Sequence, residues 1–428
     1  IFALQDISDP LYDHVITVIN SVKNYNPDVK IFASIANGDG YGVNHHNASK
    51  FPSGWIGCCA NNVYKLNLTT YSAYLDSYMQ KMTDAGITID YLGPYNEDPG
   101  NDSDYSKIIT QMNSLGSTEM VGVERFSVLT SINDVDDIED KVAIVGSHFY
   151  GEASIPEAEW ESSWATLVEK SEDPVWYTEA TRYSTGDNID LLIAGMDNIF
   201  APIRGGAEGI IFYQVCKRFV YANGSKLPIK YSGFQNIVNN AEGNVITTTS
   251  NNSNIKIVAF GNHTNLDVHI INKNTTDNIV DLQLLNNYLG DGAVNRKVWT
   301  ATDTASQSTY NLSNNPNWTI LVPANSYLHI KVTLNKPILN TGNINYVSKE
   351  VKVFPNPSNG NFQLKLPKSK IGDKVLLKIH SINGREIFSE NSIYKSDFSL
   401  RKNLTSGVYI ITMKTADNTI YKGKIVVK

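Results

Sequence analysis

The sequence predicts an α/β fold, a (β/α)8 TIM-type barrel with two of its eight strands absent. An all-β sandwich and a small C-terminal β-sandwich domain follow it. Three observations carry this. Helical and strand-like patterns alternate over residues 1–215, helical periodicity disappears over 226–335, and the charge balance reverses near residue 350. Residues 351–428 hold 14 Lys/Arg against 5 Asp/Glu, while the preceding residues hold 22 against 38. A chain with such unlike parts is expected to be assembled from separate modules. The expected division is a barrel over 1–225, a sandwich over 226–335, a linker over 336–349 and a last module over 350–428.

The elements follow in order. Asp9-Pro10 reads as an N-cap with proline at the first helical position; Leu11, Val15, Val18, Ile19 and Val22 keep helical spacing, and Asn26-Pro27 stops the helix. KIFASIAN (30–37) is a short apolar strand. Thr70 is the expected cap of the next helix, whose face is Tyr74, Leu75, Tyr78, Met79 and Met82 and whose end is Gly86. Strand 88–97, helix 104–114, strand 118–124, a helix near 133–140, strand 142–150, helix 156–170, strand 174–180, helix 188–200 and strand 207–214 complete the alternation. These strands are continuous apolar runs, as expected when both faces of a parallel sheet are buried. No phosphate-binding glycine fingerprint follows the first strands: the loop after residue 37 reads GDGYGVNHHN. Polar and aromatic residues gather instead at the C-terminal strand ends, where barrels keep their chemistry. After residue 225, short strands between Asn/Gly/Asp turns read as a sandwich, and NPSNG, INGR and ADNT are turns of the last module.

Composition excludes several classes. Hydrophobic residues make up 41% and charged residues only 18%, with Asn, Ser, Thr and Tyr filling the difference. That suits an extracellular protein meeting polar, uncharged ligands. No run of eighteen apolar residues is present, so no transmembrane helix is expected. The acidic first part argues against nucleic acid. The chain starts at Ile1 without a charged-then-apolar leader, and processing or truncation at that end is expected. Cys58, Cys59 and Cys216 are too few for a disulfide scaffold, and neither they nor the adjacent His45 and His46 have zinc spacing. No cofactor or metal is expected.

Two carboxylates end strands: Glu97 in YLGPYNE and Glu179 in VWYTE. With two strands between them they face each other across a barrel mouth. Glycoside hydrolysis needs such a pair, one to protonate the leaving oxygen and one to attack or stabilise the anomeric carbon; a retaining pair stands about 5 Å apart. His148 and Tyr150 in SHFY point to one side of the strand that precedes the Glu179 strand, and the tyrosine hydroxyl can hold a neighbouring carboxylate ionised. Trp55, Tyr95, Trp176, Tyr177, Tyr183 and Tyr213 are candidates for stacking on sugar rings, whereas Trp160 and Trp164, spaced i, i+4, suit packing of a helix. Glu124, also at a strand end, is a candidate substrate contact; Asp98 reads as a loop or capping acid.

These residues carry a resemblance. YLGPYNE resembles the strand-four motif of clan A glycoside hydrolases, SHFYG their strand-six His-x-Tyr segment, and VWYTEA their strand-seven nucleophile motif. The order, with a β-domain after the barrel, looks most like glycoside hydrolase family 30, over roughly residues 1–335. The resemblance implies that Asn96 touches the sugar 2-hydroxyl, Glu97 is the acid/base, Glu179 the nucleophile and Tyr150 its partner. It also implies that the strand at 30–37 is barrel strand three, so that the first two strands lie outside this chain. Two family features differ: Asp98 intervenes between Glu97 and Pro99, and an arginine that the family supplies from its first strands has no counterpart. A related family acting on galactosyl lipids shares an IDYxGxxNE-like strand. Over about 351–428, VFPNPSNGNFQLKL, INGREIF and LTSGVYIITMKTADNTIYKGKIVVK look like the C-terminal sorting domain of type IX secretion substrates. That implies export through the type IX secretion machinery to the medium or the outer cell surface. The expectation is a secreted retaining β-glycosidase with a carbohydrate substrate. The alternative is a non-catalytic carbohydrate-binding or adhesion protein on a degenerate barrel.

Overall fold

The structure is a computed structural model describing residues 6–35, 55–60, 63–97, 102–150, 155–180, 185–213, 215, 218–221, 223–285, 288–335, 348–366, 370–381, 386–395, 398–402, 404–415 and 419–428. The chain divides into two units, 1–338 and 339–428.

In the first unit, helix α1 (Pro10–Tyr25) begins where the Asp9 side chain accepts from the Leu11 amide at 2.9 Å. Strand β1 (Phe32–Ser34) follows. A hairpin of β2 (Ile56–Ala60) and β3 (Val63–Leu66) then occupies a segment the sequence left as loop. Helix α2 (Leu68–Asp84) is capped by Asn67, not by Thr70 as expected. Thr70 is already inside the helix and its amide donates to Asn67 Oδ1, whereas Asn67 has the extended backbone of a cap. Gly86, at φ 74°, ends α2 in the left-handed conformation.

The pattern then repeats through β4 (Tyr91–Gly93), α3 (Asp102–Gln111), β5 (Glu119–Arg125), α4 (Val128–Ile138), β6 (Ile144–His148), α5 (Trp160–Lys170), β7 (Val175–Ala180), α6 (Ile189–Gly205) and β8 (Gly209–Phe212). The strands pair in the order β1-β4-β5-β6-β7-β8, all parallel. This is a half-barrel: among the described residues β1 and β8 each have a strand partner on one side only.

Helical structure does not stop at residue 225, because α7 (Pro228–Asn239) packs on α6. Its start is fixed from another element: the Asp187 carboxylate accepts from the amides of Ile229 and Lys230 at 3.0 and 2.8 Å. Gly233 lets α7 close on Leu192, where a Cβ would come within 2.6 Å. Pro228 at the first helical position is a local start signal, but the cap itself comes from a residue forty positions away.

The sandwich follows as β9 (Asn244–Ile246), β10 (Ile255–Gly261), β11 (Asn265–Asn272), β12 (Asn278–Gln283), β13 (Leu289–Trp299), β14 (Ser306–Asn315), β15 (Asn317–Val322) and β16 (Ser326–Asn335). Six strands pair antiparallel as β14-β13-β16-β11-β10-β9, and β12 pairs with β15 in a second sheet. Ile257, Val268, Ile330 and Trp318 belong to its core. Val258, Phe260, Ile271, Trp299 and Tyr327 join the barrel core instead. Helix α6 lies between the two and is buried around most of its circumference.

The second unit comprises β17 (Ser348–Glu350), β18 (Lys352–Phe354), β19 (Asn361–Lys365), β20 (Lys374–Ser381), β21 (Glu386–Ile393), β22 (Ser399–Arg401), β23 (Gly407–Thr415) and β24 (Ile420–Val427). They form sheets ordered β17-β24-β23-β20-β21 and β18-β19-β22 over a core that includes Phe362, Leu377, Ile411 and Tyr421. Strand β17 straddles the end of the segment expected to be linker and pairs in parallel with β24.

Candidate active site

The site is built on two irregular strands flanking a regular one. In β5 the pairing with β6 runs Val123 to Gly146 and then Arg125 to Ser147, so Glu124 is an extra, bulged residue. Val123 and Glu124 have φ of 70° and 46°, conformations that side chains with a Cβ seldom adopt. In β7 the partners of Ser147 and His148 are Tyr177 and Glu179, so Thr178 is bulged in turn. The two extra residues meet over Gly146. The Thr178 hydroxyl donates to Glu124 Oε1, and a Cβ on Gly146 would sit 1.8 Å from that oxygen. Beyond β4, Glu97 has φ 62°; its amide donates to the Glu124 carbonyl at 2.7 Å, and it bridges to Arg125. The β5 bulge therefore holds the Glu97 backbone. Arg125 itself pairs with Asp134.

Side chains from four segments converge. His148 Nδ1 lies 3.2 Å from Glu97 Oε1, and Nε2 lies 3.4 Å from Glu179 Oε2 and 3.8 Å from Glu124 Oε2. Tyr150 donates its hydroxyl to Glu179 Oε1 at 2.5 Å. One oxygen of Glu97 and one of Glu179 lie within 4.8 Å of each other. Their side chains keep 10% and 18% of their surface exposed, whereas Glu124 and His148 are each 1% exposed. Burial opposes charge on His148, but the hydrogen bond to Glu97 and the nearby carboxylates of Glu124 and Glu179 outweigh it and raise its pKa to about 10. Burial pushes the Glu179 carboxyl above its ordinary value, with His148 and Tyr150 pulling the other way. Burial, then the bond to Glu179, holds the Tyr150 hydroxyl protonated. The arrangement can donate a proton from one side of a substrate atom and present a carboxylate to the other. Glu97, His148 and Glu179 also offer three donor atoms close enough for a metal ion, but both imidazole nitrogens are turned to carboxylates. A metal would have to displace those contacts.

Glu97, Glu179, His148 and Tyr150 thus come together, with Asn96 half-buried beside Glu97. Other candidates do not join them. Glu124 is inside the cluster but almost wholly buried, which leaves no surface of it for the substrate contact expected from the sequence. Trp55 is 3% exposed and wedged against Tyr71 and Tyr74, ring centroids 5.1 and 4.5 Å away, so it offers no face to a sugar. Trp176 sits near the start of β7, edge-on to Tyr91 at 4.9 Å, at the opposite end of the strand from Glu179. Tyr95 and Tyr177 are core residues, the latter bonded to Asn198 at 2.7 Å. Tyr213 keeps 44% exposure, with Arg218 over its ring. Trp160 and Trp164 pack on Phe149. Tyr183, Asp98, His45, His46 and Cys216 lie outside the described residues, as do the side chains of Cys58 and Cys59. Sequence reasoning missed Thr178 and Phe126. The second stacks on Tyr150 at 5.0 Å and is 48% exposed. Gly146, like Gly122 an isolated glycine inside an apolar strand, was an available signal of close approach.

The fold has known counterparts. It is similar to a glycoside hydrolase family 30 endoxylanase from Clostridium papyrosolvens C71, with 15% identity and a TM-score of 0.58 over 77% of this chain and 85% of that one. A family 30 subfamily 8 xylanase from Clostridium acetobutylicum is 16% identical, with a TM-score of 0.57 over 74% and 83%. The catalytic domain of xylanase C of the same family from Talaromyces cellulolyticus is 17% identical, with a TM-score of 0.54 over 74% and 79%. No curated protein matches the sequence. Residues 352–428 match the family described as a secretion system C-terminal sorting domain. Among the described residues no helix is long and apolar enough to cross a membrane. The chain therefore joins a half-barrel and sandwich of the fold seen in family 30 xylanases to a type IX secretion C-terminal sorting domain, which addresses it to the medium or the outer cell surface.

Proposed function

We propose that the chain is a secreted retaining glycosidase acting on a β-linked polysaccharide or glycoconjugate. The observation that carries this is the carboxylate pair: oxygens of Glu97 and Glu179 within 4.8 Å, on β-strand ends separated by two strands, with the partly exposed edge of each left for a ligand. That separation suits direct attack and leaves too little room for a water between carboxylate and sugar, as inversion requires. Glu97 protonates the departing oxygen while Glu179 attacks the anomeric carbon, giving a glycosyl-enzyme ester. Glu97, now ionised, takes a proton from water, which hydrolyses the ester. Tyr150 holds the attacking carboxylate in its ionised form and fixed in direction. Asn96 is the group assigned to the sugar 2-hydroxyl, and the exposed rings of Phe126 and Tyr213 are the surfaces on which further sugar units stack.

The test is chemical rescue in the natural full-length protein. Glu179→Ala is expected to lose activity by on the order of 10⁴-fold and to regain it with azide, giving an azide product of inverted configuration. Glu97→Ala is expected to keep much of its first step on an aryl glycoside with a good leaving group, and azide then gives a product of retained configuration. Activity within a few-fold of wild type in both variants would remove the assignment.

A further inference from the structure

Glu124 is a buried carboxylate that the double displacement does not use, and the fold goes to unusual lengths to keep it there. Two consecutive residues with side chains, Val123 and Glu124, take left-handed backbone conformations, which are strained for any residue with a Cβ. Strand β6 gives up a side chain at Gly146, where any Cβ would collide with Glu124 Oε1. Strand β7 bulges to bring the Thr178 hydroxyl onto the same oxygen. The other oxygen, Oε2, faces His148 Nε2 at 3.8 Å. Strain maintained by surrounding structure marks a position that does something beyond packing.

The chemistry shows what that is. During a retaining cycle the charges of Glu97 and Glu179 both change. Before glycosylation Glu179 is the anion and Glu97 holds the proton; afterwards Glu179 is a neutral ester and Glu97 is the anion. His148 touches both, so its two working neighbours exchange roles at every turnover. Among the carboxylates around it, only Glu124 is shielded from substrate and takes no part in bond making. We propose that Glu124 is a positioning residue whose constant negative charge keeps His148 a doubly protonated imidazolium throughout turnover, so that Glu97 alone carries the working proton. The groups facing His148 are Glu97 beyond β4, Glu124 on β5, Glu179 on β7 and, on its own segment, Tyr150, whose ring centroid is 6.0 Å away. Without Glu124 the imidazolium would be buried against the single charge that Glu97 and Glu179 share. Its proton would become available, and a second acid would compete at the site. The inference rests on the retaining mechanism proposed above, but its first measurement does not.

That measurement is side-chain NMR of the full chain with 15N-labelled histidine. In the wild type without substrate, both His148 nitrogens are expected to be protonated at pH 8, where an ordinary histidine is neutral. Glu124→Gln keeps the shape and the acceptor for Thr178 and removes the charge, and the His148 titration is expected to move down by about 1–3 pH units. Glu124→Asp keeps the charge and is expected to restore most of the shift. With substrate, Glu124→Gln should narrow the pH–activity profile from its basic side while Glu124→Asp does not; a merely structural loss would lower activity evenly across pH. A neutral His148 at pH 8 in the wild type, or an unmoved titration in folded Glu124→Gln, overturns the proposal. If Glu124→Gln does not fold, the wild-type protonation state and the Glu124→Asp titration decide: a neutral imidazole in either overturns it. If the titration moves as expected but neither Glu97 nor Glu179 variants alter activity, the glycosidase reading fails and the role of Glu124 stands.

Discussion

Tyr150→Phe removes the hydroxyl that donates to Glu179 Oε1 and keeps the ring that stacks on Phe126. A hydrogen bond to a charged group contributes about 1.5–3 kcal/mol, so kcat/KM is expected to fall by roughly 10- to 100-fold. The lost donation opposed the upward push of burial on Glu179, so the carboxyl titrates higher in the variant. The acidic limb of the activity profile should therefore move to higher pH. A limb that stays in place while only KM rises would assign Tyr150 to substrate binding instead. Glu179 makes a second prediction, on stability. Its folded pKa is raised, so the folded state disfavours its ionised form, and the penalty is absent at low pH and complete above the folded pKa. Glu179→Gln should then raise Tm at pH 8, with the gain vanishing towards pH 4; a gain independent of pH would point to packing. His148 contributes in the opposite sense. Its stabilisation is fully present below an ordinary histidine pKa and is lost as pH rises through about 10.

Strands β5, β6 and β7 act as one device, and two glycines separate that device from the scaffold. A Cβ at Gly146 meets the Glu124 carboxyl at 1.8 Å, and the carboxyl can only leave by breaking from Thr178 and His148. Gly146→Ala is expected to fold, with circular dichroism unchanged, and to lose kcat/KM by about 100-fold or more. At Gly205 a Cβ meets the Trp164 Cβ at 2.5 Å and backbone atoms of α5 at 2.9 Å. Gly205→Ala should destabilise by about 1–3 kcal/mol in urea unfolding and leave the activity of the folded protein unchanged. Equal losses of activity in both would mean that the cluster has no special dependence on Gly146. The same elements show what sequence can and cannot reveal. The barrel strands were legible because burial on both faces forces uninterrupted apolar runs such as VAIVG, and Glu97 and Glu179 were legible because they end such runs. The bulges were not. TEMVGVE has a glycine at 122, yet the left-handed residues are Val123 and Glu124, held by contacts with Glu97, Thr178 and His148 that come from other strands. Helix α7 escaped partly for a similar reason: Pro228 marks its start, but its cap is the remote Asp187. Trp55 and Trp176 were misassigned because composition marks an aromatic ring but not which side of it is already covered.

At the scale of the whole molecule the chain has two units with separate cores. The sorting unit has its own apolar interior, including Phe362, Leu377, Ile411 and Tyr421. Its basic charge stays on the wet side: in β24, Lys422 and Lys424 are exposed while Tyr421 and Ile425 are buried. A domain of about 90 residues with a complete core can unfold as its own cooperative unit. Calorimetry of the full chain should therefore show two transitions, and a chain ending at residue 338 should lose one and keep the other at the same temperature. The carboxylates, His148 and Tyr150 all lie in the first unit, so kcat of the shortened chain should stay within about two-fold of the full chain. Export should behave in the opposite way. The shortened chain should accumulate inside the cell envelope, and residues 339–428 fused to an unrelated folded reporter should carry that reporter to the surface or the medium. A shortened chain that is still exported would place the address in the first unit. One that folds and is exported but has lost its activity would make the second unit part of the enzyme rather than its label.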